Sequence, residues 1–399
     1  MRGLRLAWDQ AFTGYDFGRG HPMSPLRLDL THALCAELGL LDGDVLVAGA
    51  VPADDDTLLT AHTPDYVDVV RAASAPSPSW PEDLPARLAR HGLGTDDVPV
   101  FVGMHEASAR IAAASRDVAL AVWRGEARHG VNVAGGLHHA GADAASGFCV
   151  YNDLVVAIRA VLAEGARRVV YVDVDAHHGD GVERAFWDDP RVTTISIHES
   201  GLTLFPGTGA AADVGGPRAQ GEAVNVALPA GTGDDGWLRA FHAVVPPLVR
   251  AIGPDLLVTQ HGCDGHALDP LTNLALSVDA QRAAAVALHD LAHESAHGRW
   301  VAFGGGGYEV VDVVPRAWAH LVGIAAHAPV EAATPVPPAW RQQAEALTGR
   351  PGPELMGDGA ALRWRDFHRG YDPSDALDRA VMATRRAVFP LHGLDPFYD

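Results

Sequence analysis

The stretch YVDVDAHHGDG, Tyr171 to Gly181, decides how this chain is read. It opens inside an apolar, β-branched run, Arg168–Val174, and closes on Gly and Asp. Asp173, Asp175 and His177 are spaced by two, so they share one face for as long as the strand lasts. Carboxylates on an otherwise apolar, buried strand are costly unless they are paired or bound to a cation. Asp and His are competent ligands for Zn²⁺ and related ions. The plainer alternative is a capped strand end carrying surface Asp and His, and it must be weighed against three further clusters of the same character.

Seven other short runs resemble this one: Leu4–Trp8, Val45–Ala48, Val131–Val133, Val192–His198, Val224–Leu228, Asp255–Gln260 and Trp300–Phe303. Helical stretches alternate with them, among them Met104–Arg124, Asp153–Glu164, Trp237–Ile252 and Ala280–Ala296. Alternation of this kind predicts an α/β fold, a single domain with an eight-stranded, mostly parallel sheet flanked by helices. Ser74–Pro85 reads as a surface loop. From about Ala328 to Pro353 the chain turns Pro- and Ala-rich and loses strand character. We therefore expect a catalytic domain over 1–327, with 328–399 as a Pro-rich segment and C-terminal extension packed on it.

Ligands of open parallel sheets bind beyond the carboxyl ends of the strands. Three clusters besides the first sit where strands end. GGLHHA, Gly135–Ala140, follows a glycine pair with His138 and His139; alone, a core or surface histidine pair is the default reading. Asp173 and Asp180 can each orient one of these imidazoles and fix its tautomer. TQHGCDGHALDP, Thr259–Pro270, puts Asp264 where a third metal ligand is needed. FGGGGY, Phe303–Tyr308, lets backbone approach a substrate and ends on a hydroxyl donor. No Lys and no GxxxxGK spacing accompany it, which argues against a phosphate loop.

Thirty basic against fifty acidic residues give a net charge of −20, unfit for a phosphate-binding surface. All the basic residues are Arg, which reads as the codon usage of a GC-rich bacterial genome. Three scattered cysteines form no CxxC pair. No apolar run approaches membrane-helix length, and the amino terminus lacks a secretory pattern. The expectation is a cytoplasmic protein with neither nucleic-acid nor membrane partners.

Taken in order, these motifs resemble the histone deacetylase family, in particular its bacterial acetoin-utilisation members. HPMSP (His21–Pro25), HGLGTDDVPVF (His91–Phe101), SGFCVYND (Ser146–Asp153) and FPGTG (Phe205–Gly209) add to the clusters above. The resemblance implies the arginase/deacetylase fold. It implies a catalytic metal on Asp175, His177 and Asp264, Zn²⁺ by default with Fe²⁺ also acceptable. His138 would pair with Asp173 and His139 with Asp180, and Tyr308 would polarise the substrate carbonyl. Gly147, Phe148, Phe205 and Leu271 would shape a narrow tunnel, and one of Asp96 and Asp97, assigned to Asp97, would hold the substrate backbone. Arg27 would lie at an internal channel for acetate. A structural K⁺ would sit on oxygens of Asp173, Asp175, His177, Ser196 and Ile197.

The implied reaction is hydrolysis of N-acetyl-lysine in proteins or peptides, possible targets including acyl-CoA synthetases, with zinc-chelating hydroxamates as inhibitors. Acetylpolyamine hydrolysis is the nearest alternative. An arginase-like ureohydrolase would need an Asp-x-Asp where Asp264-Gly265-His266 stands, and a silent acetyl-lysine-binding module would have lost a ligand or Tyr308.

Overall fold

The computed structural model describes residues 2–399. Among them, eight strands form one sheet, in the spatial order β2-β1-β3-β8-β7-β4-β5-β6. These are β1 (Arg2–Ala7), β2 (Val45–Ala48), β3 (Ala127–Asn132), β4 (Val169–Asp173), β5 (Val192–Glu199), β6 (Ala223–Leu228), β7 (Leu256–Gln260) and β8 (Trp300–Phe303). Every pairing is parallel, so the sheet is wholly rather than mostly parallel. A parallel sheet needs helices on both faces, and its inner strands then lose polar alternation. β4, β5, β7 and β8 are accordingly buried along their whole length.

The pairs β3/β4 and β7/β8 are far apart along the chain, yet the four strands are adjacent in the sheet, as β3-β8-β7-β4. Their carboxyl ends lead directly into GGLHHA, FGGGGY, HGCDG and VDAHHGDG respectively. Topology alone therefore gathers the four unusual clusters at one edge of the molecule.

β3 begins four residues earlier than its apolar signal. Its ARHG portion carries no apolar signal, but Gly130 is there for contact. A Cβ on it would lie 2.9 Å from the Val118 carbonyl, so helix Met104–Trp123 can press onto the strand only over glycine.

The Ala/Pro-rich segment contains a helix, Pro338–Thr348, that its composition hid; proline occupies its first turn, where no N–H is missed. Trp340 on that helix is fully buried and donates to the Leu30 carbonyl at 2.8 Å. Further on, the Asp378 carboxylate accepts two bonds from Arg239, at 2.7 and 2.8 Å, with both side chains buried. Arg385, also buried, lies over the rings of Phe367 and Phe389 and donates to the Pro396 carbonyl at 2.6 Å. The loop expected over Ser74–Pro85 is irregular chain only to Asp83, with a 3-10 turn at Ser77–Ser79; its last two residues open helix Leu84–Arg90, where Leu84 is buried.

Candidate active site

Strand β4 ends at Asp173, and the chain beyond it stays buried through Gly181 apart from a partial exposure at Val174. The Asp173 carboxylate, fully buried, accepts from the Tyr171 hydroxyl at 2.6 Å and lies 2.7 Å from His138 Nδ1. Asp180, opening helix Asp180–Phe186, lies 2.7 Å from His139 Nδ1, and Arg184 one turn later pairs with its other oxygen. Each imidazole is thereby held by its own carboxylate at Nδ1. The two Nε2 atoms face each other at 3.0 Å.

The environments of the two histidines differ. Burial alone would lower both. At His138 the carboxylates of Asp173 and Asp175 override it and hold the imidazole up at about 9. At His139 burial, joined by the neighbouring His138 charge, brings it down to about 3 despite Asp180. His139 also lines the open pocket, whereas His138 lies behind it.

Asp175, His177 and Asp264 converge beside this pair. His177 Nδ1 lies 3.1 Å from Asp175 Oδ1 and 2.9 Å from Asp264 Oδ2. The carboxylates are held from outside: Gln260 Nε2 donates to Asp175 at 2.8 Å, Gly306 N at 2.9 Å, and Ala176 N to Asp264 at 2.9 Å. Burial and the adjacent Asp175 push the Asp264 carboxyl up to about 6. Two buried carboxylates this close to each other and to one imidazole need a cation more than they need a proton, so the donor set fits a divalent metal with positions left open. The glycines of the surrounding loops make room. A Cβ on Gly262 would overlap the Asp175 carboxylate, and one on Gly306 the Asp264 carboxylate.

A pocket of about 190 Å³ leads to these groups. Phe148 and Phe205 stand on its walls, with Gly147, Leu204, Leu271 and Tyr308 completing it. The Phe205 ring meets His139 edge-on at 5.0 Å, and Phe148 meets Tyr308 edge-on at 5.6 Å. Phe148 has φ of 63°, a left-handed conformation that costs a β-carbon-bearing residue roughly 1–3 kcal/mol. Tyr15 secures it by donating to the Phe148 carbonyl at 2.7 Å and accepting from Val150 N at 3.0 Å. Before it, Gly147 (φ 54°) has no room for a side chain, since a Cβ would run into the His139 ring.

The tandem Asp96 and Asp97 separate here. Asp97 is at the pocket and accepts from Gly147 N at 2.8 Å, while Asp96 is exposed. His266 is turned away from the metal ligands. Its Nε2 lies 3.0 Å from Asp358, and its Nδ1 accepts from Leu268 N at 3.0 Å. Arg27 is buried behind the glycine loop, donating to the carbonyls of Gly305 at 2.9 Å and Gly307 at 3.1 Å. Ser196 and Ile197 lie on β5, and Ser196 is in register with Asp173 of β4.

Three supporting residues were not legible in the sequence. Asp153 accepts from the N–H groups of Gly136 and Leu137 and from Ser115, shaping the turn before the histidines. Gln260 braces Asp175. Asp269 accepts from Tyr308 N at 2.9 Å and Leu271 N at 3.0 Å, tying the tyrosine to the tunnel wall. Position at the end of β7 was the one available signal for Gln260; Asp153, which opens helix Asp153–Ala163, and Asp269 fall inside SGFCVYND and TQHGCDGHALDP, but nothing there gave them these partners.

Comparison with known proteins agrees with this geometry. The histone deacetylase domain matches residues 21–325. Acetoin utilization protein AcuC of Bacillus subtilis (strain 168) is 39% identical over 322 residues, covering 80% of this chain and 81% of that protein. The proteins of the same name from Staphylococcus xylosus and Staphylococcus aureus (strain MRSA252) are 36% and 38% identical over 307 residues, each covering 77% of this chain. Those proteins are covered to 78% and 77% of their own length. With four motif loops at the carboxyl end of the sheet and this extent of matched chain, the protein belongs to the histone deacetylase family.

Proposed function

We propose that this chain hydrolyses the acetyl amide of N-acetyl-lysine in proteins, releasing acetate, with Zn²⁺ held by Asp175, His177 and Asp264. The observation that carries the reading is the convergence of that donor set, the His138–His139 pair and Tyr308 at the foot of one Phe-walled pocket. The flat faces of Phe148 and Phe205 suit an aliphatic stem bearing a small acyl group. When bound, the cation supplies Lewis acidity toward the acetyl oxygen and the attacking water, and Fe²⁺ can fill the same donor set. His139 takes the proton of that water at Nε2, since its Nδ1 is occupied by Asp180. Tyr308 donates to the oxygen as it becomes an oxyanion. The imidazolium of His139 then returns its proton to the departing lysine nitrogen.

Asp97 accepts a substrate backbone N–H at the rim. The Nε of Arg27, buried and without a hydrogen-bond partner, is the donor that departing acetate would meet. A K⁺ ion is assigned to oxygens of Asp173, Asp175, His177, Ser196 and Ile197 on the family resemblance. We place the activity in the cytoplasm, which accords with three buried, free cysteines. No helix among the described residues is long and apolar enough to cross a membrane.

His139→Ala should cost more kcat than His138→Ala when both variants carry wild-type metal; the reverse order would reassign the proton transfer. Substrate choice is tested by kcat/KM, without NAD, on acetyl-lysine peptides, an acetylated acyl-CoA synthetase and acetylpolyamines. Acetyl-lysine should win and a small hydroxamate should inhibit. Acetylpolyamines ahead by about a hundredfold would establish the polyamine reaction instead, and no turnover of any of them would leave a binding module.

A further inference from the structure

At the opposite, amino-terminal end of the sheet lies a second group of ligand-type side chains: His129, His289, His293 and His327. His129 is on β3, paired with Trp300, the first residue of β8. His289 and His293 are one turn apart on helix Val278–Ser295, and so on one face. His327 follows helix Val314–Ala325, with φ of 57°.

Three Nε2 atoms form a closed triangle. His289 to His293 is 3.2 Å, His293 to His327 is 3.3 Å, and His289 to His327 is 3.4 Å. A neutral imidazole Nε2 either donates or accepts. Among three nitrogens in mutual contact two must share a role, so hydrogen bonds cannot satisfy the triangle. A cation at its centre can. Tetrahedral zinc with Zn–N near 2.0–2.1 Å sets its ligand nitrogens roughly 3.3–3.4 Å apart.

His129 supplies an independent observation. It is fully buried, its Nδ1 is 2.7 Å from the Ala325 carbonyl, and its Nε2 has no partner. The carbonyl requires the proton on Nδ1, so Nε2 keeps its lone pair, on a ring that stacks on His327 at 4.8 Å and meets His289 and His293 edge-on at 5.1 Å. All four ligand atoms lie within 4.8 Å of one another. Asp290 Oδ1, 3.4 Å from His289 Nδ1, favours the same tautomer there.

We propose that His289, His293 and His327 bind a second transition-metal ion, with His129 providing the fourth nitrogen from the buried side. Nitrogen-only donors at this spacing favour Zn²⁺ over Mg²⁺ or Ca²⁺. The site is separate from the catalytic pocket and would clamp β3, helix Val278–Ser295 and the end of helix Val314–Ala325 together.

The test compares untagged wild type, Asp264→Ala and the double variant His293→Ala/His327→Asn, each purified from zinc-supplemented cells. His293 and His327 are exposed, so the double variant should fold and retain deacetylase turnover. Zinc analysis should give about two ions per chain for wild type and about one for each variant. In addition, Zn²⁺ should raise the Tm of metal-stripped Asp264→Ala protein and leave that of the same protein carrying the double substitution unmoved. Equal zinc in wild type and the double variant, or a Tm response that survives the histidine substitutions, would overturn the proposal.

Discussion

Asp264→Ala is expected to release the catalytic cation and lower kcat by more than about 10³-fold, since changes that merely disturb a ligand's support already cost about 10–100-fold. The substitution leaves Asp175 and His177 with no third donor and removes the acceptor of the Ala176 N–H. It also opens the space against Gly306, whose missing Cβ is what lets the carboxylate sit there. Metal analysis with kcat checks it, and near-normal turnover would refute the assignment of the ligands. The total metal count has to be resolved by site. Two ions per wild-type chain would superficially match a dinuclear, arginase-like centre. In that case both should leave together when Asp264 is replaced. A histidine-bound ion at the far end of the sheet should remain.

Tyr308→Phe should retain metal and lower kcat by about 10²–10³, the effect of deleting one oxyanion donor. The phenyl ring keeps its edge contact with Phe148, and Asp269 still holds the backbone N–H, so geometry is preserved and only the donor is lost. Burial, and then the charges of Asp264 and Asp175, hold the Tyr308 hydroxyl well above its ordinary pKa, so it stays protonated and able to donate. Steady-state kinetics on protein of equal metal content decides the matter. An unchanged kcat would make Tyr308 a packing residue.

Much of the architecture was legible because buried parallel strands announce themselves as apolar runs ending in Gly and Asp. β4, β5, β7 and β8 lie within a residue or so of the runs that signalled them. β3 was half hidden, since ARHG shows neither apolar periodicity nor β-branching and owes its strand to the helix pressed on Gly130. The same disguise concealed His129. Its three companions come from separate elements, and no sequence spacing connects them. Helix Pro338–Thr348 went unread because its prolines, harmless in a first turn, resemble loop punctuation. At the active site, ligand-type residues were visible because chemistry limits them to Asp, His and Tyr. Their braces, Asp153, Gln260 and Asp269, were not, since a backbone N–H needs only some carboxylate or amide that topology delivers.

The C-terminal helix Ala376–Val388 has a consequence for how the molecule is divided. It packs against β6, the last strand of the sheet, and Thr384 donates to the Asn225 carbonyl of that strand at 2.6 Å. An outermost strand offers unpaired backbone to any passing chain. Its cover here comes from residues beyond 21–325, the stretch that the histone deacetylase domain matches. The matched domain and the folded unit therefore have different borders. A fragment trimmed to 21–325 would keep the candidate ligands and proton-transfer groups, yet lose β1 from between β2 and β3 and also the guard that keeps neighbouring copies from adding themselves to β6.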